Sequence, residues 1–184
     1  MNDVTVNWCT VSRERTIEWL GIVHILPGRG PDILTNIDGL KPLVQDEDVV
    51  VFGYRDAEQS ASYGSQDVRD TNMHVFDLFQ VKELKVSTAA SRAVKRLIKD
   101  ELTGFWIHLD ADVLDDTIMP AVDYRLNDGG LSFSKLSELL RIIISSKRAI
   151  GMSITIFNPT LDLDGSIAKN FVCSIVDGLY NKTN

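Results

Sequence analysis

The residues with the most chemistry in them fall in one run, Phe105-Trp106-Ile107-His108-Leu109-Asp110-Ala111-Asp112-Val113-Leu114-Asp115-Asp116. Its first five residues read as the apolar core of a strand, and two aspartates follow directly. If the strand continues, its period of two turns His108, Asp110 and Asp112 to one side. Two close carboxylates repel each other, so without a cation one of them tends to keep a proton. A divalent ion removes that conflict and takes oxygen ligands readily; Mg²⁺, Mn²⁺ and Ca²⁺ all suit such a pair. The same aspartates also suit a second role, capping loops through side-chain to backbone hydrogen bonds. Spacing alone leaves both open.

Such residues need a scaffold, and the chain supplies one. Val49–Gly53 is β-branched and aromatic, follows the acidic run Asp46-Glu47-Asp48, and predicts a buried strand. Met73–Phe76, Phe105–Leu109 and Ala149–Phe157 are further strands. Helices are predicted over Ser87–Leu102, where Ala89, Ala93, Leu97 and Ile98 recur at helical spacing, over Ser132–Ser146, and over Ser166–Tyr180. Strands alternating with helices imply a parallel sheet joined by right-handed crossovers, an α/β protein. Open parallel sheets bind ligands beyond the carboxyl ends of their strands, where Asp110 and Asp112 fall. Thr16–Leu26 fits helix or strand, Pro27–Pro31 breaks it, and Asp56–Asn72 is polar without periodicity and reads as a long loop.

The 184 residues carry 19 Lys+Arg against 26 Asp+Glu, a net charge of −7. That length predicts a single domain over residues 1–184 with a sizeable core. A hydrophobic share of 44% with 24% charged excludes bulk disorder. The acidic balance argues against nucleic-acid binding through phosphates, and no apolar run approaches a membrane span. Met1-Asn2-Asp3-Val4 lacks a signal-peptide layout, and Cys9 and Cys173 make neither a disulfide framework nor a metal knuckle. A cytoplasmic location is expected.

The run His108–Asp115 resembles the late metal-binding motif of the arginase and agmatinase family, the ureohydrolases. The likeness continues through Pro120-Ala121-Val122-Asp123-Tyr124, Gly129-Gly130-Leu131-Ser132, Asn158-Pro159 and Asp162-Leu163-Asp164-Gly165, with Gly28–Pro31 and Val50–Asp56 fitting upstream. It covers roughly residues 20–180. The resemblance implies a three-layer α/β/α fold with a mainly parallel sheet. It further implies a pair of bridged Mn²⁺ ions whose shared hydroxide attacks a guanidinium carbon and releases urea; two close cations lower the pKa of shared water enough to do this at neutral pH. By the family pattern Asp110 and Asp112 match the last two carboxylate ligands. Asp115 matches a structural aspartate and Asn158 opens the late Asn-Pro motif, while His108 stands at a position that is not a ligand, so a hydrogen-bonded strand histidine is expected there.

The chain also departs from that pattern. The family's Gly-Gly-Asp-His and Asp-Ala-His-x-Asp motifs are absent, and so is its His-Gly element, where Glu18-Trp19-Leu20-Gly21 stands. His24, in an apolar context, reads as a core histidine, and His74 has no acidic partner at the required spacing. Ile156 replaces the guanidinium-binding glutamate, and an apolar residue cannot pair bidentately with a guanidinium; the nearby acidic position is Ser153. The expectation is the C-terminal part of a ureohydrolase-like domain, apparently missing its N-terminal strands, with little or no hydrolysis alone. A small guanidino or amidino substrate belongs to it only if the absent ligands come from elsewhere. The exposed sheet invites pairing, as a homo-oligomer or with a chain that supplies the missing motifs, and Met1–Arg15, with Val6 and Trp8, is the segment at hand to cover the gap. The alternative is a non-catalytic remnant or interaction module with at most a weak divalent-metal site.

Overall fold

Among the described residues, β-branched and apolar residues build five strands, and every pairing between these strands is parallel. The computed structural model describes residues 4–8, 22–62, 64–100, 102–123, 125 and 129–180. The strands are β1 (Val4–Trp8), β2 (Val50–Tyr54), β3 (His74–Asp77), β4 (Phe105–Asp110) and β5 (Ala149–Thr155), in the order β3-β2-β1-β4-β5. The helices are α1 (Ile22–Ile25), α2 (Asp32–Thr35), α3 (Ala57–Ser62), α4 (Leu78–Leu84), α5 (Val86–Leu97), α6 (Phe133–Ser145) and α7 (Ser166–Leu179). None of the described helices is long and apolar enough to cross a membrane.

The period of two divides β2 and β4 between two faces. Phe105, Ile107 and Leu109 join Val50 and Phe52 in one core with α4, α5, α6 and α7. Val49 and Val51 face the other way, the irregularity between Phe52 and Tyr54 turns Tyr54 to the same side, and the three pack with Val23, Val68 and Met73 in a smaller cluster. Burying a side chain of this size is worth about 1.5–3 kcal/mol, so the larger core dominates. Asp162 fixes the start of α7, its carboxylate accepting the N–H groups of Ile167 (3.2 Å) and Ala168 (2.7 Å).

Several expectations change. Residues 56–72 are not one loop: they hold α3 and a 3-10 turn at Val68–Asp70, the turn capped by the Asp67 carboxylate. The helix expected over Ser87–Leu102 runs over Val86–Leu97, and α4 precedes it, started by the Asp77 side chain accepting from Gln80 N–H at 2.8 Å. Of Thr16–Leu26, residues 16–21 lie outside the described ones, and Ile22–Ile25 is a single helical turn. Within Met1–Arg15, Val4–Trp8 is no cover for an edge: it is the central strand, bonded to β2 and β4. The β-branched Val-Thr-Val sequence accounts for that. The side chains of Val6 and Trp8, and Cys9 altogether, lie outside the described residues.

A second polar cluster stitches the α1 region to the sheet. Arg29 grips Asp46 with two bonds of 2.7 and 2.5 Å, and Asp46 also accepts from Asn72 N–H. This grip holds the Asp46 carboxyl below its ordinary 3.8. Burial, with Arg29 beside it, pushes the His24 imidazole below 6.5, and burial with Arg96 and Lys99 does the same at His74. Each of these groups is harder to protonate folded than unfolded, so the unfolded chain takes up protons first and acid favours it. We expect the thermal midpoint to fall as pH drops below about 6.5, where the histidines act, and again below about 4, where Asp46 acts. A midpoint that stays flat between about pH 7 and 5 would contradict the histidine part.

Candidate functional site

β4 ends at Asp110, where the chain turns into a 3-10 turn at Ala111–Val113. The period of two therefore carries Trp106, His108 and Asp110 to one face, while Asp112 leaves the strand and sits within the turn. Both carboxylates are deeply placed, Asp110 4% and Asp112 0% exposed.

The parallel register sets Ser153 opposite His108 and Thr155 opposite Asp110. Trp106 Nε1 donates to Ser153 Oγ at 3.2 Å, and Ser153 Oγ lies 2.7 Å from His108 Nδ1. Thr155 Oγ1 donates to Asp110 Oδ1 and lies 3.2 Å from His108 Nε2, which is itself 3.2 Å from Asp110 Oδ1. The single Thr155 hydroxyl proton is committed to the carboxylate, so the threonine oxygen accepts, and Nε2 carries the imidazole proton. In the neutral ring Nδ1 then accepts from Ser153, and Ser153 accepts from the indole. All donors run one way, from Trp106 to Asp110. His108 is thus a hydrogen-bonded strand histidine.

The turn beyond β4 is held from the neighbouring strand. Arg55 follows β2, and its Nη2 donates to the carbonyl oxygens of Asp112 (2.8 Å) and Leu114 (3.1 Å) and to Asp116 Oδ1 (3.2 Å). Leu114 bridges Leu131, with Leu131 N–H donating to Val113 O at 2.8 Å and Asp115 N–H to Leu131 O at 3.0 Å. Asp115 turns back on Thr117, accepting from its N–H and hydroxyl at 2.9 and 2.5 Å, and these bonds keep its carboxyl below the usual carboxylate range. Asn158 accepts from Thr160 N–H and Oγ1 and donates to Asp123. Asp56 ends the segment after β2, 3% exposed, with Ser60 Oγ donating to Oδ2 at 3.2 Å. Burial pushes its carboxyl above the ordinary value.

The fold and the motif order have a match among known proteins. A profile of the Arginase family matches residues 30–180, well over half of the chain. The chain belongs to the Arginase family. The arginase of Brevibacillus brevis is 28% identical over 155 residues, covering 81% of this chain and 50% of that protein. The N(omega)-hydroxy-L-arginine amidinohydrolase of Streptomyces lavendulae is 29% identical over 120 residues, covering 65% and 41%. The crystal structure of arginase from Bacillus subtilis shares the fold, with a TM-score of 0.80 at 20% identity, covering 99% of this chain and 63% of that one. The chain spans about half the length of the curated relatives it matches.

The Arginase family is generally metal-dependent, which puts a question to Asp110 and Asp112. A two-metal centre needs several anionic or imidazole donors converging on one place. Among the described residues, no group of three or more His, Cys, Asp or Glu side chains is arranged to hold a metal ion. Asp110 Oδ1 already answers to Thr155 and His108. The described side chains do not fit a metal pair. Ile156, where an arginase-type glutamate would stand, takes a φ of 71°, an uncommon conformation for a β-branched residue, and packs against the main core.

Sequence reasoning gave no role to Arg55, Thr155 or Trp106. A parallel strand opposite β4 presents alternate residues to the same face, so the pattern Ser153-x-Thr155 was the available signal; choosing that partner and register required the fold. For Arg55 no local pattern exists, since its acceptors lie 57 to 61 positions away.

Proposed function

We propose that this chain is a non-hydrolytic half-domain of the Arginase family, which keeps the Asp-x-Asp of the late motif as a structural element. The observation that supports this is the engagement of Asp110 by Thr155 and His108 in a run of hydrogen bonds that begins at Trp106. The Oδ1 atom bound in this way has given up to protein donors the lone pairs that a cation would use at that oxygen. The family's hydrolysis of a C–N bond in a guanidino or amidino compound, with a Mn²⁺ pair, then requires ligands from another polypeptide. That second reading is favoured by one feature: Arg55 pins the turn carrying Asp112, so the geometry of the late motif is maintained.

Calorimetric titration of the purified chain with Mn²⁺ tests the proposal, beside Asp110→Ala and Asp112→Ala and an assay of urea release from arginine and agmatine. Two carboxylates without further protein ligands bind divalent ions weakly. The expected result is binding no tighter than millimolar, unchanged by either substitution, and no urea. Micromolar binding of two ions per chain, abolished in either variant, would overturn it.

A further inference from the structure

Asp-Gly occurs four times in the chain, at Asp38-Gly39, Asp128-Gly129, Asp164-Gly165 and Asp177-Gly178. The pair has a chemistry of its own, because the glycine nitrogen can attack the aspartyl Cγ with no side chain barring the approach. Asp128 lies outside the described residues, and the other three aspartates are all exposed, so exposure does not rank them. Their backbones do. The reaction needs a free peptide nitrogen, an uncommitted carboxyl, and room to rotate one onto the other. Asp177-Gly178 lacks these. Gly178 lies inside α7, where a helix ties each N–H to the carbonyl four residues back. A Cβ on it would stand 2.6 Å from Leu140 Cβ, so it is also closely packed. Asp164-Gly165 is held in another way, with Asp164 Oδ1 accepting from Ser166 N–H at 3.0 Å and Gly165 N–H donating to Asp162 O at 3.3 Å. The bonds from Ser166 keep the Asp164 carboxyl below the usual carboxylate range, and an ionised carboxylate is a poor electrophile.

Asp38-Gly39 differs on each point. Asp38 takes a φ of 54° and Gly39 one of 78°, the two left-handed positions of a tight hairpin turn. Leu40 N–H donates to Ile37 O at 2.9 Å and closes the turn, a bond that uses neither the Gly39 nitrogen nor the Asp38 carboxyl. Beyond its chain neighbours, no atom stands within 4 Å of the place a Gly39 Cβ would take, so the peptide plane has room to turn. The reaction stays inside one dipeptide and needs no free surface around it.

We propose that Asp38-Gly39 is a site of spontaneous isoaspartate formation, a modification built into the loop between α2 and β2. The Gly39 nitrogen forms a bond to Asp38 Cγ; the Cγ–OH bond breaks, and the hydroxyl leaves with the amide hydrogen as water. The product is a cyclic succinimide. Water then opens the ring at one carbonyl to give back aspartate, or at the other to route the main chain through the side-chain carbon as isoaspartate. The second product adds a methylene to the backbone of the turn. Hairpin register is fixed by the turn, so the Ile37–Leu40 bridge should be lost with it. Leu43 and Val44 N–H both donate to Leu26 O, at 2.9 and 3.1 Å, and close the loop at its neck. The change is thereby confined to the loop, and the sheet keeps its pairing. The inference does not depend on the role of Asp110 and Asp112.

Peptide mapping of the full chain, aged for weeks at neutral pH and physiological temperature, is the test. Isoaspartate is read by methyl transfer from S-adenosylmethionine with an isoaspartyl methyltransferase. It should accumulate in the peptide that holds Asp38, ahead of those that hold Asp164 and Asp177. Gly39→Ala should slow it roughly tenfold or more, about 1.4 kcal/mol of added barrier, and should stay folded because the space around it is open. Asp38→Glu should abolish the signal from that peptide, since its ring would need one more carbon. Isomerisation first at Asp164 or Asp177, a Gly39→Ala variant that ages at the wild-type rate, or no isoaspartate at all overturns the proposal.

Discussion

Replacing Arg55 by alanine should cost the fold about 3–5 kcal/mol, the range for removing one partner of a buried pair. The guanidinium is 7% exposed and faces Asp116, itself 11% exposed, together with two carbonyl oxygens of the turn after β4. Alanine takes from the carboxylate and both carbonyls a charged donor that they share in a largely buried place, and weakening the hydrogen bonding of buried acceptors costs desolvation energy. Lysine should recover little, because an ammonium is more strongly hydrated than a guanidinium and costs more to hold at a buried site. Equilibrium unfolding in urea measures this directly, read as a shift in midpoint at constant slope. A loss below about 1 kcal/mol, the level of an exposed ion pair, would mean that the turn carrying Asp112 holds itself.

Gly130→Ala should be of similar size, about 3 kcal/mol or more, by a steric route. A Cβ at this position would stand 2.4 Å from the Leu114 carbonyl carbon, 2.5 Å from its oxygen and 2.6 Å from Asp115 N. All three are backbone atoms, so no side chain can swing aside. The strands of chain at 113–115 and 131 must separate, and with them the two hydrogen bonds that join them. Gly39→Ala is the control: nothing lies within 4 Å there, and only its φ of 78° disfavours a side chain, worth about 1 kcal/mol. If both variants unfold at the same urea concentration, crowding at Gly130 is relieved in a way the backbone contacts do not suggest.

Both residues brace the same short stretch after β4, and that stretch shows what the sequence reveals and what it withholds. Strands β2 and β4 and helices α6 and α7 are legible because their apolar residues recur at the period of one buried face, a local property. The start of α4 is written in the chain, an Asp three positions before a Gln and followed by Leu78 and Val81, but at seven residues it is too short for periodicity to announce it. β1 is not legible as a strand of the sheet, because five residues carry no pairing information. At the site, Asp110 and Asp112 stand out by type and spacing, and the family resemblance names them. Their surroundings do not. Ser153 and Thr155 meet His108 and Asp110 only because β5 lies beside β4 in one register, and a slip of one residue would turn both away. The absence of the earlier motifs was readable at once, while the hydrogen bonds that take up Asp110 were not, because they belong to tertiary structure.

The place of β1 has a consequence for how the molecule assembles in time. Val4 lies beside Phe105 and Val6 beside Val50, so the central strand needs partners made much later in synthesis. Until β4 has been translated, β1 has only β2 to hold it on one side, and the polypeptide between them must close loops of about fifty and a hundred residues before the sheet is continuous. Contacts so distant along the chain slow folding, and parallel pairing of this kind leaves apolar strands waiting in the open. The β2–β3 pair with its helix can form early as a local unit, and the β4–β5 pair with α6 and α7 as another. β1 is then the last strand to lock, joining two prefolded halves like a key placed in an arch.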